Sequence, residues 1–181
     1  MTQTIPPHGG ELIDLLLSGT EAERARDDAA SYPKVDLGPR ETADFEMLAT
    51  GALSPLTGFM TEKDYRSVLD GMRLASGLAW SIPITVPLQE EDVKRIGGSD
   101  ALTLTIRGEP AGILEVEQVF SRDRAIEAEA VFQTTDASHP GVAALDAAGD
   151  WVVGGRVRAF RLPEHSRFLE HRRTPAETRS A

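Results

Sequence analysis

At 181 residues, with 40% hydrophobic and 27% charged, the chain has the composition and length of one globular domain with at most a small appendage, which excludes a disordered or fibrous protein. Cysteine is absent, so disulfides, thiolate nucleophiles and Cys-based metal sites are excluded together. The formal charge of −10 is unevenly spread: from Arg156 onward seven Arg outweigh Glu164, Glu170 and Glu177 by +4, leaving −14 on residues 1 to 155, a body that repels nucleic acid.

Met1 to Gly10 reads as a polar lead that frays unless docked. Glu11 to Leu17 predicts a short helix. Ser18 and Thr20 then offer N-caps to a second helix from about Glu21 to Ala30, with Glu21 and Glu23 as their capping-box partners. Lys34 to Leu37 suits a short strand. Thr42 can cap a helix that carries Phe45, Leu48 and Ala49 on one side and ends at Gly51.

Gly51 to Met60, "GALSPLTGFM", joins two amphipathic segments, yet Leu53, Leu56, Phe59 and Met60 are too apolar for a solvated loop. Pro55 prevents a helix from running through it, so the segment reads as a packed loop. Thr61 caps the next helix, where Tyr65, Val68, Leu69 and Met72 share one face.

From Leu78 the period changes to two. Ile82, Ile84, Val86 and Leu88 predict a strand, and Pro83 and Pro87 place it at an edge or beside a bulge. Glu90 to Ile96 is a helical turn stopped by Gly97 and Gly98. "ALTLTI" and "AGILEVEQVF" flank "RGEP" as a β-hairpin. Ser121 can cap a helix through about Phe132, Pro140 suits the first position of another, and Asp150 to Phe160 reads as a last strand broken at Gly154 and Gly155.

Helices followed by strands with interspersed helices predict an α+β domain with a curved, mostly antiparallel sheet.

Motifs for chemistry are sparse. There is no G-x-x-x-x-G-K-[ST] and no G-x-G-x-x-G phosphate cradle; the GG pairs at Gly97 and Gly154 suit turns or bulges. His8, His139, His165 and His171 show no metal-ligand spacing. His139 before Pro140 suits a turn residue bonded to local backbone, with a role facing a partner domain as the alternative. Arg40 beside Glu41 could bind an anion and more simply forms an ion pair. Ser54 lacks the context of a hydrolase nucleophile. Trp80 and Trp151 read as core or rim aromatics. No catalytic, cofactor-binding or metal-binding residue is assigned.

The run Arg40 to Val86 closely resembles the amino-terminal domain of the ATP sulfurylase (sulfate adenylyltransferase) family. "PHGGELIDLL" from Pro7, "EAEAVFQTTDASHPGV" from Glu127, "WVVGGRV" from Trp151 and "RRTPAE" from Arg172 fit the same family in the same order, so the resemblance spans nearly the whole chain. Thr42, Phe45 and Ala52 depart from the family's residues as repacking changes would.

The resemblance implies a PUA-like β-barrel over residues 1–160, with residues 161–181 opening the connection to a catalytic domain absent from this chain. In the family, sulfate attacks the α-phosphorus of ATP to give adenosine 5′-phosphosulfate and pyrophosphate, by charge stabilisation and positioning. Its Gln-x-Arg-Asn-Pro-x-His-x-x-His motif belongs to that following nucleotidyltransferase domain. It cannot be present here, because the chain contains no asparagine.

ATP and magnesium are therefore expected only with the missing domain, and this chain is expected to be inactive alone. The expected partner is an ATP-sulfurylase catalytic domain, on the same or a separate chain. A homo-oligomer is also possible, with no nucleic acid and no membrane involved. No apolar run reaches the roughly 18 residues of a membrane span and no leader is visible, so the expected location is cytoplasmic. Two other readings stand beside this one: a free-standing subunit that complements a separate catalytic chain, and an RNA-binding PUA-like module, which would need a basic face.

Overall fold

The β-hairpin is the element most directly dictated by the sequence. In the computed structural model, which describes residues 5–181, strands β4 (Ala101–Ile106) and β5 (Glu109–Ser121) are joined by Arg107 and Gly108 at φ 54° and 80°. Positive φ at both positions is what a two-residue type I′ turn requires. The pairing shifts between Leu104↔Gly112 and Thr105↔Pro110, which leaves Ala111 as an extra residue in a β-bulge.

β1 (Lys34–Asp36) runs parallel to β4 from Lys34↔Thr103 to Asp36↔Thr105. Asp36 Oδ1 ties the strand to the hairpin turn by accepting from Thr105 Oγ1 at 2.6 Å and Gly108 N at 2.9 Å.

The remaining elements are α1 (Gly19–Ala29), α2 (Pro39–Ala49), β2 (Gly58–Phe59), α3 (Glu62–Gly71), β3 (Val86–Leu88), α4 (Glu90–Ile96), α5 (Arg124–Phe132), α6 (Pro140–Ala147), β6 (Trp151–Ala159), a 3₁₀ turn at Leu169–His171, and α7 (Pro175–Ser180). The strand order is β1-β4-β5-β6-β2, with β3 on β6. The α+β class holds and the pairing is mostly antiparallel, but the strand path is open rather than the closed barrel that the resemblance implied. Its end strands, β1 and β2, hold three and two residues.

The chain divides into two compact units. The first comprises Met1–Gly58, Ala101–Glu115 and Arg156–Ala181; the second comprises Phe59–Asp100 and Val116–Gly155. In the first, Ala22, Ala25 and Ala29 of α1 pack with Ile113 and Phe160, and small side chains let the helix lie close. Phe45 and Leu48 of α2 are 0% and 1% exposed. Gly112 leaves room for Phe45, whose ring lies 2.9 Å from where a Cβ would stand. In the second unit Tyr65, Phe120 and Val152 form one cluster, and Ala128, Val142 and Leu145 join α5 to α6.

Burial of Leu56, Phe59 and Met60 makes Gly51–Met60 the packed loop expected from its composition. Ser54 holds it structurally: its Oγ donates to Gly51 O at 2.6 Å and accepts from Ile13 N at 2.9 Å, next to a cis Ser54–Pro55 bond.

Several local expectations are corrected. Glu11–Leu17 is extended, not helical: Leu15 N bonds Ala49 O, Leu17 N bonds Ala159 O, and Ala159 N bonds Leu15 O, so the backbone finds partners outside itself. Helix α2 starts at Pro39, whose fixed φ suits the first helical turn, three residues before Thr42. The α5 cap is Asp123, which accepts from Ala125 N and Ile126 N, rather than Ser121. Helix α3 begins after Thr61 as expected, yet the threonine hydroxyl makes no cap bond; Gln118 instead accepts from Glu62 N at 3.1 Å.

Met72 leaves the buried face, 56% exposed, because its φ of 50° ends the helix. Of the strand expected from Leu78, only Val86–Leu88 forms a ladder, and Ile82 is 43% exposed. Strand β6 runs unbroken through Gly154 and Gly155. Residues 1–4 of the expected polar lead lie outside the described residues; from Ile5 the lead is docked, its carbonyl accepting from Arg179 Nη1 at 2.6 Å.

Candidate functional site

Helix α2 has two faces. Phe45, Leu48 and Ala49 are buried, while Glu46, Met47 and Thr50 border a groove of about 950 Å³ whose other wall is the carboxy-terminal segment. That segment leaves the sheet in a fixed direction, because Ala111 O at the bulge accepts from both Phe160 N (2.9 Å) and Arg161 N (3.0 Å). It is then pinned to α2, with His165 Nε2 2.7 Å from Glu46 Oε1, and α7 is closed by a reciprocal capping box between Thr174 and Glu177.

Ile5, Met47, Ala52, Leu162, Pro163 and Pro175 give the groove apolar surface, and Arg172, Arg173 and Arg179 give it cations. Such an arrangement can hold an apolar segment with acidic edges. The Thr174 hydroxyl that borders the groove donates to Glu177 Oε2 at 3.1 Å as part of the α7 capping box.

The second unit contains a buried charged cluster. Tyr65 Oη donates to Glu127 Oε2 at 2.8 Å, and Arg122 Nη1 lies 3.4 Å from the same oxygen. Arg122 Nε also donates to Gly149 O at 2.9 Å, whereas its Nη2 is buried without a hydrogen-bond partner. Burial first, and then the Glu127 carboxylate, push the Tyr65 phenol far above its ordinary range, so it is a fixed donor and not an ionisable nucleophile. A cavity of about 650 Å³ beside it is lined by Arg66, Arg122 and Arg124 but also by Asp123, Asp146 and Asp150, a balance that selects neither charge.

The residues singled out from sequence are scattered. Arg40 Nε stands 3.9 Å from Asp44 Oδ2, one turn along α2, so its ion-pair partner is Asp44 and not Glu41. Burial raises the Asp44 carboxyl to about 6, against a smaller lowering by Arg40. His139 caps α6 by accepting from Gly141 N at 3.2 Å and packs on Phe132, the local role expected of it. His8 and His171 are exposed, and Trp80 and Trp151 are half-buried.

Among the described residues, no group of three or more His, Asp or Glu is placed to hold a metal. Of the pairs noted here, His165 with Glu46 and Tyr65 with Glu127 were not anticipated. Their partners lie 119 and 62 residues apart in sequence, beyond any local signal. The one available hint was that a tyrosine on a buried helix face needs a partner for its hydroxyl.

A family model described as a PUA-like domain matches residues 5–162. The chain is 43% identical over 184 residues to a sulfate adenylyltransferase of Symbiobacterium thermophilum, covering 99% of this chain and 46% of that protein. It is 42% identical over 178 residues to the sulfate adenylyltransferase of Deinococcus radiodurans, covering 97% and 45%. A probable bifunctional SAT/APS kinase 2 of Sorangium cellulosum is 39% identical over 177 residues, 97% of this chain and 30% of that one.

Among solved structures, a hexameric APS kinase from Thiobacillus denitrificans superposes with a TM-score of 0.75 at 30% identity, over 98% of this chain and 31% of that one. The chain thus spans less than half the length of the curated relatives it matches.

Proposed function

The chain belongs to the PUA-like domain family, and we propose that it acts as the amino-terminal, non-catalytic domain of a sulfate adenylyltransferase, the enzyme that converts ATP and sulfate to adenosine 5′-phosphosulfate and pyrophosphate. The observation that carries this reading is similarity over 97–99% of the chain to sulfate adenylyltransferases about twice as long. In this reading the chemistry belongs to the remaining portion of such an enzyme, where ATP and magnesium bind. Residues 161–181 open the connection to it, and the domain's role is to pack against it, in the cytoplasm and in a homo-oligomer.

The absence of asparagine supports an inactive domain, since the catalytic motif expected of the family requires one. A second reading, in which this chain complements a catalytic portion on a separate polypeptide, is also compatible with similarity to less than half of each relative.

The test is pyrophosphate release from ATP and magnesium, with and without sulfate, on the purified chain. No sulfate-dependent release is expected. Release that survives repurification would place a catalytic site in this domain and overturn the proposal. Adding a separately produced catalytic portion distinguishes the two readings, because only a complementing subunit restores activity in trans.

A further inference from the structure

The PUA-like match ends at residue 162, whereas similarity to the Symbiobacterium protein covers 99% of the chain. Nearly all of residues 163–181 is therefore shared with sulfate adenylyltransferases while lying outside the PUA-like domain. This same stretch carries two large apolar side chains in water, Phe168 at 70% exposed and Leu169 at 59%. Phe168 also sits at φ 56°, a left-handed conformation that an aromatic residue adopts only against a steric cost. An exposed and strained phenylalanine does nothing for the stability of this chain.

His165 and His171, which bracket the turn, both line the groove against α2, so the turn stands at the mouth of an open apolar surface to which Met47 adds 37% of its own. Arg167, Arg172 and Arg173 flank it, within residues 156–181, which carry +4 while residues 1–155 carry −14.

We infer that Phe168 and Leu169 form a preformed docking knob, and that its occupant is an apolar hollow edged by carboxylates on the remaining portion of a sulfate adenylyltransferase. The inference rests on the proposed function and adds the contact that function would use. The apolar pair supplies the desolvated centre and the arginines the rim, the anatomy of an energetically focused interface. The shape of the turn is fixed before contact, which lowers the ordering cost of docking. A second copy of this chain, whose body is acidic, is the competing occupant.

The test uses a chimera in which this chain replaces the matching part of the Symbiobacterium enzyme, with Phe168→Gly and Leu169→Asp made both in the chimera and in the 181-residue chain. Thermal unfolding is followed in both, and sulfate-dependent pyrophosphate release in the chimera. Phe168→Gly relieves the backbone and leaves the isolated chain's midpoint unchanged or raised. In the chimera each substitution is expected to lower the midpoint by about 5 °C or more.

An active chimera indifferent to both substitutions would overturn the knob and leave the proposed function standing. An equal loss in chain and chimera would make the two residues internal supports, and overturns the knob as well. An inactive chimera beside an active native enzyme would overturn the proposed function, and the inference with it. Concentration-dependent self-association of the 181-residue chain, abolished by Leu169→Asp, would assign the surface to a second copy and overturn the stated occupant.

Discussion

Asp44 is a carboxylate in a poor place for a charge. Its side chain is 10% exposed, Arg40 stands 3.9 Å away, and Oδ2 accepts no hydrogen bond. Desolvation therefore raises its carboxyl from 3.8 to about 6. A raised folded-state value means that the fold favours the neutral form: the contribution is fully present below the unfolded value and is lost as pH rises through about 6. The loss is at most about 3 kcal/mol.

Asp44→Asn keeps the shape and cannot ionise. It should be more stable than the parent at pH 7.5 by up to that amount, with the gap closing toward pH 4. Urea unfolding of both proteins at the two pH values checks this; parallel behaviour would mean that Asp44 is solvated. Tyr65, Glu127 and Arg122 show the other arrangement of buried polar groups, in which a phenol and a guanidinium meet at one carboxyl oxygen.

At the scale of elements, glycine positions decide more than hydrophobic runs do. A Cβ on Gly154 would stand 2.1 Å from Met60 O and 2.6 Å from its carbonyl carbon, so Gly154→Ala must displace backbone. It should cost about 3 kcal/mol or more, read as a lower urea midpoint. Gly71, exposed at the end of α3 with open space around its Cβ position, is the control: Gly71→Ala should be neutral or stabilising by up to about 1 kcal/mol. Equal effects at both sites would mean that propensity and not close approach is being measured.

Gly154 also illustrates what was legible in the sequence. A Gly-Gly pair in a strand signals either a break or a close backbone approach, and only the neighbouring chain decides between them. The hairpin could be read because its turn chemistry is local. Glu11–Leu17 could not: Ile13, Leu15 and Leu17 alternate with Asp14 and Leu16 as a strand edge would, but three consecutive leucines also satisfy a helix. The caps at Asp123 and Gln118 are not legible because Ser121 and Thr61 are competing cap residues close to each helix start, and the acceptor for Glu62 N lies 56 residues away. The groove was invisible for the same reason, since its walls come from opposite ends of the chain.

For the whole molecule, charge sets the strongest expectation. With −14 on residues 1–155 and three lysines in all, the net charge of the body opposes the phosphate contacts that nucleic-acid binding needs. In a mobility-shift experiment at about 50 mM salt, where non-specific association is strongest, no RNA shift is expected at micromolar protein. A shift that weakens steeply with salt would instead support an RNA-binding module. No helix among the described residues is long and apolar enough to cross a membrane. The division into two units has a further bearing on experiments, because local openings need not coincide in them; hydrogen exchange would report each separately.

The bulge at Ala111 governs how this chain can tolerate change. One peptide carbonyl receives both amides that set the exit of the carboxy-terminal segment, and neither bond involves a side chain. Substitution at this position can alter packing but cannot remove the acceptor, so chains that differ at most of their residues can still release that segment along the same line. Loss of a single residue here is another matter: it would restore regular pairing, turn the carbonyl away, and redirect everything downstream of Phe160. The geometry is thus robust to mutation by replacement and fragile to mutation by length.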